Sequence, residues 1–431
     1  MTGDPIRLGF LGMGTVGCGT VQTLRENEAQ ITARVGRPIV IHRVAVARPE
    51  KHRPVQLAPS LYTTDGDEVV RDPLVDIVVE AIGGVEPARS FLTSAIEHGK
   101  QIVTANKELL AKHGSELLQM AATRRLDFSF EGSVAGGIPI ILPLKVSLAG
   151  NTIHRILGIV NGTTNYILTR MTREGAAFED VLAEAQRLGY AEVDPSNDVD
   201  GADAAFKLAI LSSIAFGTRV NIEDVYYEGI RQVSATDVAH ARDLGYVIKL
   251  LAIANRVDEQ LEMRVHPALI PLSHPLASVN DAFNAVLVNG SSVGDVMFYG
   301  RGAGSLPTGS AVAGDIIDVA RNLVADATGR LHETGLQDRR IIPIHETRSQ
   351  FYMRLTALDR PGVIANVAAC FGSHEVSIAS IVQKGSQGGD AEIVWVTHCA
   401  PEGRFRAALE EIRGLPVVHQ IGSVLRVING E

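Results

Sequence analysis

Asp203 and Lys207 stand four residues apart in Gly201-Ala-Asp203-Ala-Ala-Phe-Lys207, at the head of a very apolar run, Leu208–Phe216. At that spacing an acid and a base share one helix face within side-chain reach. An ion pair on a largely buried helix is costly unless it has a task. One such task is to polarise a carbonyl or deliver a proton to an alkoxide. The preceding residues, Gly189-Tyr-Ala-Glu192-Val-Asp194-Pro-Ser-Asn-Asp198-Val-Asp200, are dense in carboxylates that could hold a substrate ammonium group. Read alone, the segment is also a helix cap followed by an ordinary i, i+4 ion pair.

A second chemical pattern opens the chain. The apolar run Ile6–Leu11 leads into Gly12-Met13-Gly14-Thr15-Val16-Gly17, followed by a helical pattern to Arg25. Strand, G-x-G-x-x-G, helix is the phosphate-cradling turn of a dinucleotide-binding fold. Gly12 permits the tight turn, Gly14 lets backbone approach a pyrophosphate, and Gly17 lets helix and strand pack closely. The helix N-terminus then offers unpaired N–H groups to the anion. NAD-preferring members of this fold carry an acid at the tip of the second strand. Here the tip is Arg48, with Lys51 and Arg53 close behind, which favours a 2′-phosphate and so NADP(H) over NAD(H).

Two further segments bear on the site. Val103-Thr-Ala-Asn-Lys107 ends a candidate fourth strand, the edge at which open parallel sheets bind ligands. Phe130-Glu131-Gly-Ser-Val134-Ala-Gly136-Gly-Ile138-Pro139 joins one carboxylate to irregular Gly-rich backbone, a source of oxygen ligands for a hard cation. Seen in isolation, the latter is equally a plain turn.

The elements that must position these residues follow from periodicity. Candidate strands Ile6–Leu11, Ile39–Val46, Ile77–Glu80, Gln101–Thr104 and Leu126–Phe130 alternate with helical stretches, predicting a doubly wound parallel sheet of α/β class over residues 1–150. Residues 151–330 mix strand-like runs (Thr152–Val160, Leu261–Pro267, Val286–Gly290) with helices at Phe178–Leu188, Gly201–Phe216 and Thr308–Ala327, an α+β substrate and dimerisation domain. Residues 331–348 lack periodicity and read as a linker. Residues 349–431 predict βαββαβ, the ferredoxin-like order. The chain has 431 residues, 45% of them hydrophobic, and a net charge of −9, which speaks against a nucleic-acid-binding surface. No apolar run approaches the ~20 residues of a membrane span. There is no secretory leader pattern, and Cys18, Cys370 and Cys399 give neither a disulfide framework nor a zinc pattern; a cytoplasmic setting is expected.

Taken together, these segments resemble homoserine dehydrogenase in its form with a C-terminal ACT domain, over essentially the whole chain. The stretch Gly189 to Lys207 resembles the family's signature, and Val103–Lys107, Asn161-Gly-Thr-Thr-Asn165 and Gly300-Arg-Gly302-Ala-Gly304 match other family blocks. The resemblance implies reversible NAD(P)H-dependent reduction of L-aspartate 4-semialdehyde to L-homoserine. It implies Lys207 as proton donor, with Asp203 beside it at the substrate. Glu192 would bind the substrate amino group, with Asp198 in support, and Lys107 would lie between nicotinamide and substrate. Glu131 with the carbonyls of Val134, Gly136 and Ile138 would hold a monovalent cation, sodium. Gly302 and Gly304 would form a loop touching the cofactor. Asp359-Arg-Pro-Gly362-Val363 resembles the first loop of an ACT domain, implying feedback control by L-threonine and a homodimer or homotetramer. A silent amino-acid sensor would be expected to lack at least one of Lys107, Glu192, Asp203 and Lys207; all are present.

Overall fold

In the computed structural model, residues 3–331 and 337–428 are described. The chain begins with β1 (Ile6–Leu11), α1 (Thr15–Glu26), α2 (Glu28–Val35), β2 (Ile39–Ala45), β3 (Tyr62–Thr63), α3 (Asp67–Val70), β4 (Ile77–Glu80), α4 (Ala88–Glu97), β5 (Gln101–Thr104), α5 (Lys107–Thr123) and β6 (Phe128–Ser129). The strands form one sheet in the order β3-β2-β1-β4-β5-β6, and every recorded pairing is parallel. Strands β4 and β5 are buried on both faces, which is why they read as unbroken apolar runs.

There follow β7 (Ile153–Ile159), α6 (Gly162–Glu174), α7 (Phe178–Arg187), α8 (Ser196–Val199), α9 (Ala202–Phe216), β8 (Tyr226–Tyr227), α10 (Ala235–Asp243), β9 (Tyr246–Val257), β10 (Gln260–Pro271), β11 (Phe283–Gly290), β12 (Gly294–Arg301) and α11 (Ser305–Val324). The chain ends with β13 (Arg348–Leu358), α12 (Val363–Ser373), β14 (Ile378–Gln387), β15 (Asp390–Thr397), β16 (Ala400–Pro401), α13 (Glu402–Arg413) and β17 (Val418–Val427).

By packing, the chain groups into two compact units. One holds Met1–Ile156, Phe206–Glu223 and Asn284–Arg339; the other holds Leu157–Ala205, Asp224–Phe283 and Arg340–Glu431. In the first, α11 lies on the parallel sheet and shares its core, with Val312, Ile316 and Val319 joining Leu8, Phe10 and Val79. Helices α1 and α11 pack backbone to backbone. A Cβ on Gly19 would sit 1.9 Å from the Ser305 carbonyl oxygen, and one on Gly309 would meet the Gly19 carbonyl carbon at 2.4 Å. In the second unit, β9 and β10 form an antiparallel hairpin, β17 joins β10 in parallel, and the sheet continues through β13 and β15 to β14. The β13-α12-β14-β15-α13-β17 portion is the expected βαββαβ, with a core around Trp395, Phe371 and Phe405. Asp237 of α10 ties itself to this portion: it accepts from Arg354 Nε at 2.7 Å, Tyr352 OH at 3.2 Å and Ser423 Oγ at 2.5 Å.

Several expectations need correction. Strand β9 is a 12-residue strand with an almost continuous buried run, so it shows no alternation to betray it. Residues 337–348 are no simple linker, while 332–336 lie outside the described residues. Gln337 bridges to Thr218, Ile341 bridges to Leu261, and Ile344–Glu346 makes a turn of 3₁₀ helix. Cys18 and Cys370 are buried; Cys399, for which a buried packing role is expected as for Cys370, is exposed. No helix among the described residues is long and apolar enough to cross a membrane.

Candidate active site

In the first unit the turn after β1 has the conformation that its glycines demand. Gly12 has φ of +95° and a Cβ on it would lie 2.7 Å from the Ala81 carbonyl oxygen; one on Gly17 would lie 2.8 Å from the Gly12 carbonyl oxygen. A Cβ on Gly14 would meet nothing within 4 Å, and Gly14 and Thr15 are exposed. Helix α1 has no side-chain cap and no acid in its first turn, so its leading N–H groups remain available to an anion. Met13 is buried in the core and Val16 packs against that core.

Arg53 departs from the sequence reading. Its side chain is buried, and its guanidinium donates to the carbonyls of Met13 (3.2 Å), Arg48 (2.7 Å), Pro49 (3.1 Å) and Lys51 (2.8 Å). It braces the loop after β2 and is not a cation turned to a ligand; Arg48 and Lys51 remain exposed.

Lys107 opens α5 directly after the strand end, as expected, and two residues absent from the sequence reading set that start. Asn106 caps the helix by accepting from Leu109 N–H at 3.1 Å and donates to the Gly84 carbonyl at 2.7 Å. Glu80, fully buried at the end of β4, accepts from Thr104 Oγ1 at 2.5 Å, Ile82 N–H at 2.7 Å and Gly83 N–H at 3.2 Å. The only sequence signal for Glu80 is an acid closing an apolar strand.

The loop after β6 is built around Glu131. Its carboxylate accepts from the backbone N–H groups of Ile140 (2.5 Å), Ile141 (2.8 Å) and Leu142 (2.8 Å). The carboxylate therefore holds the following helical turn. Nearby, Asp315 accepts from Glu131 N–H at 2.8 Å; burial and then the Glu131 charge push its carboxyl well above the ordinary range. Ala135 and Gly136 are both left-handed, at φ of +55° and +53°. Val134, Gly136 and Ile138 are buried, and none of the described hydrogen bonds ends on their carbonyls. Buried carbonyls are nearly always paired, so a row of them without donors fits a cation. Gly302 lies against this loop: a Cβ on Gly136 would meet the Gly302 carbonyl oxygen at 2.4 Å. Past Gly304, Ser305 Oγ donates to the Thr15 carbonyl at 2.8 Å, so the return loop reaches the phosphate turn.

In the second unit the carboxylates gather on one asparagine. Asn161 Nδ2 donates to Asp198 Oδ1 at 2.7 Å and Asp203 Oδ2 at 2.9 Å. Its Oδ1 accepts from the Thr164 N–H at 2.8 Å and hydroxyl at 2.9 Å, capping α6. Asn161 was legible as a cap residue before Gly-Thr-Thr, though no role was assigned to it from sequence. Asp203 is buried at 3% exposure at the start of α9; Lys207, one helical turn on and grouped with the first unit, is buried at 8%. Glu192 lies on the exposed stretch between α7 and α8, where Gln186 Nε2 donates to its carbonyl at 3.0 Å. Asp194 is held below the ordinary carboxylate range by the Ser196 hydroxyl and N–H. Behind the cap, Asn165 Nδ2 donates to the carbonyls of Val279, Asp281 and Phe283, and Lys249 Nζ to Asn165 Oδ1 at 3.1 Å. Burial, then Arg173, lowers that ammonium to about 8.

Comparison with known proteins agrees with this geometry. Family models described as homoserine dehydrogenase, as its NAD binding domain and as ACT domain match residues 139–317, 12–131 and 351–417. A homoserine dehydrogenase of Synechocystis is 50% identical over 98% of this chain and 100% of its own length. One of Mycobacterium tuberculosis is 46% identical over 99% of each. The crystal structure of a homoserine dehydrogenase from Thiobacillus denitrificans superposes with a TM-score of 0.93 at 46% identity, covering 99% of both chains. A hyperthermophilic archaeal homoserine dehydrogenase in complex with NADPH has a TM-score of 0.62 at 27% identity, over 74% of this chain and 98% of its own. With a nucleotide turn, an acid–base helix and a C-terminal βαββαβ unit in one chain, and such likeness along its length, the chain belongs to the homoserine dehydrogenase family, oxidoreductases with a nicotinamide cofactor and here an ACT domain.

Proposed function

We propose that the chain reversibly reduces L-aspartate 4-semialdehyde to L-homoserine with NADP(H), and that Lys207 is its proton donor. The observation that carries this is the Asn161 bridge between Asp198 and Asp203, one helical turn before a buried Lys207. The reduced nicotinamide, when bound, supplies the hydride. Lys207 gives its proton to the alkoxide that forms at the former aldehyde oxygen, directly or through water. Asp203, oriented by Asn161, keeps that ammonium charged and placed. Glu192, supported by the Asp198 region, takes the substrate amino group, and Lys107 lies between nicotinamide and substrate.

The cofactor would lie on residues Gly12 to Gly17, with Arg48 toward a 2′-phosphate and Gly302 closing over it. Sodium would sit on the carbonyls of Val134, Gly136 and Ile138, with Glu131 contributing through its main chain. Functionally, residues 1–150 serve the cofactor, 151–330 the substrate and subunit pairing, and 349–431 regulation. L-Threonine at the ACT portion is the feedback effector, in a cytoplasmic homodimer or homotetramer.

The test is NADP⁺ reduction on adding L-homoserine, with and without millimolar L-threonine, in the native chain and in Lys207→Ala. Lys207→Ala is expected to lower turnover at least ~10²-fold, the scale of a positioned acid, with NADPH binding retained. Turnover like the native chain's in that variant removes Lys207 from the mechanism. Activity that threonine leaves untouched removes threonine as effector.

A further inference from the structure

Asn284, the second residue of β11, is fully buried, and neither Nδ2 nor Oδ1 of its carboxamide has a hydrogen-bond partner. Its neighbours Ala285 and Val286 are equally buried and apolar, so packing alone would favour an aliphatic side chain here. Buried polar groups are paired in the great majority of cases, and an exception asks for a reason. The amide packs on Gly302, where a Cβ would lie 2.0 Å from both its Cγ and its Nδ2. Beyond Gly302, the same short loop borders the carbonyls of the Gly136 loop and, through Ser305, the phosphate turn at Thr15.

A carboxamide both donates and accepts. A cation would satisfy Oδ1 alone and an anion Nδ2 alone, whereas a peptide unit offers a carbonyl and an N–H together. The backbone packed on Asn284 is that of Gly302 in the return loop, and glycine at 302 and 304 gives that loop a wide conformational range. We propose that Asn284 is a positioning residue for the nicotinamide cofactor: its unpaired carboxamide takes a partner in the main chain of Gly302–Gly304 when that loop closes on the cofactor. Meeting an unpaired donor and acceptor adds to affinity for whatever draws the loop into place. The proposal rests on the nicotinamide-cofactor reading, which titration of the native chain with NADPH tests by itself.

The experiment compares the native chain with Asn284→Val and Asn284→Ala, each of which removes both polar groups. Two readouts are needed: the thermal midpoint without cofactor, and NADPH affinity from its fluorescence. At least one variant is expected to keep a midpoint no lower than the native chain's, while both bind NADPH at least ~tenfold more weakly, about 1.4 kcal/mol. Native affinity in either variant overturns the proposal. So does a lower midpoint in both, which would mean that the amide already serves the empty fold.

Discussion

Replacing Asn161 with serine separates the two tasks that its side chain performs. Serine is as good a helix cap as asparagine, so the start of α6 should persist, whereas alanine would cost about 1 kcal/mol there. The shorter hydroxyl cannot span Asp198 and Asp203, which Nδ2 now bridges at 2.7 and 2.9 Å. A hydrogen bond to a charged group is worth about 1.5–3 kcal/mol, and water can restore part of the loss. About 2–4 kcal/mol of preference for the present carboxylate geometry should therefore vanish. A displacement of about 1 Å in a positioned group costs about 10²-fold in rate. The assay is kcat/KM for L-homoserine, beside a thermal midpoint. Asn161→Ser should lose about 10²-fold in kcat/KM, with its midpoint near that of the native chain. A kcat/KM like the native chain's would refute the claim that Asn161 organises the acids.

Four further outcomes follow from the structure. Gly302→Ala drives a methyl to 2.0 Å from the Asn284 amide, so it should lower stability by about 1–3 kcal/mol and weaken NADPH binding, read by melting and fluorescence titration. Arg53→Ala should melt earlier by about 1–3 kcal/mol, because four carbonyls lose a buried donor, while Arg48→Ala should spare stability and weaken NADP⁺ but not NAD⁺; equal loss for both cofactors would reject Arg48 as the 2′-phosphate contact. Burial would raise the Asp237 carboxyl, but Arg354, Ser234 and Ser423 hold it below the ordinary range. Its stabilisation is therefore complete above the unfolded value of about 3.9 and is lost as pH falls through the folded value, so Asp237→Asn should flatten the acid limb of a melting-versus-pH curve.

The strands that carry the nucleotide turn were legible because burial on both faces leaves an unbroken apolar run with sharp ends. β1, β4 and β5 were read to the residue on that basis. The same property hid β9, whose buried run contains Lys249 and offers neither alternation nor turn residues to mark it. Helix α9 was legible from its apolar length, and with it the one-turn spacing of Asp203 and Lys207. What spacing could not supply was the third dimension. Asn161 lies 42 residues from Asp203 in sequence, yet its amide joins the two acids.

Arg53 and Glu131 show why residue type alone is a poor guide beside a binding loop. Each is charged, and by type each could face a ligand with its side chain. In the fold, each faces its own backbone instead: Arg53 satisfies four carbonyls, and Glu131 satisfies three N–H groups. A loop that must stay open for a ligand cannot use regular ladders to satisfy its main chain, so buried side chains have to do so. The charge nearest a binding loop is thus often the brace of that loop. Among the described residues, the groups that no brace reaches are the leading N–H groups of α1 and the carbonyls of Val134, Gly136 and Ile138. These are main-chain atoms, whose availability depends on which partners the fold has already given them, and residue type alone does not encode that.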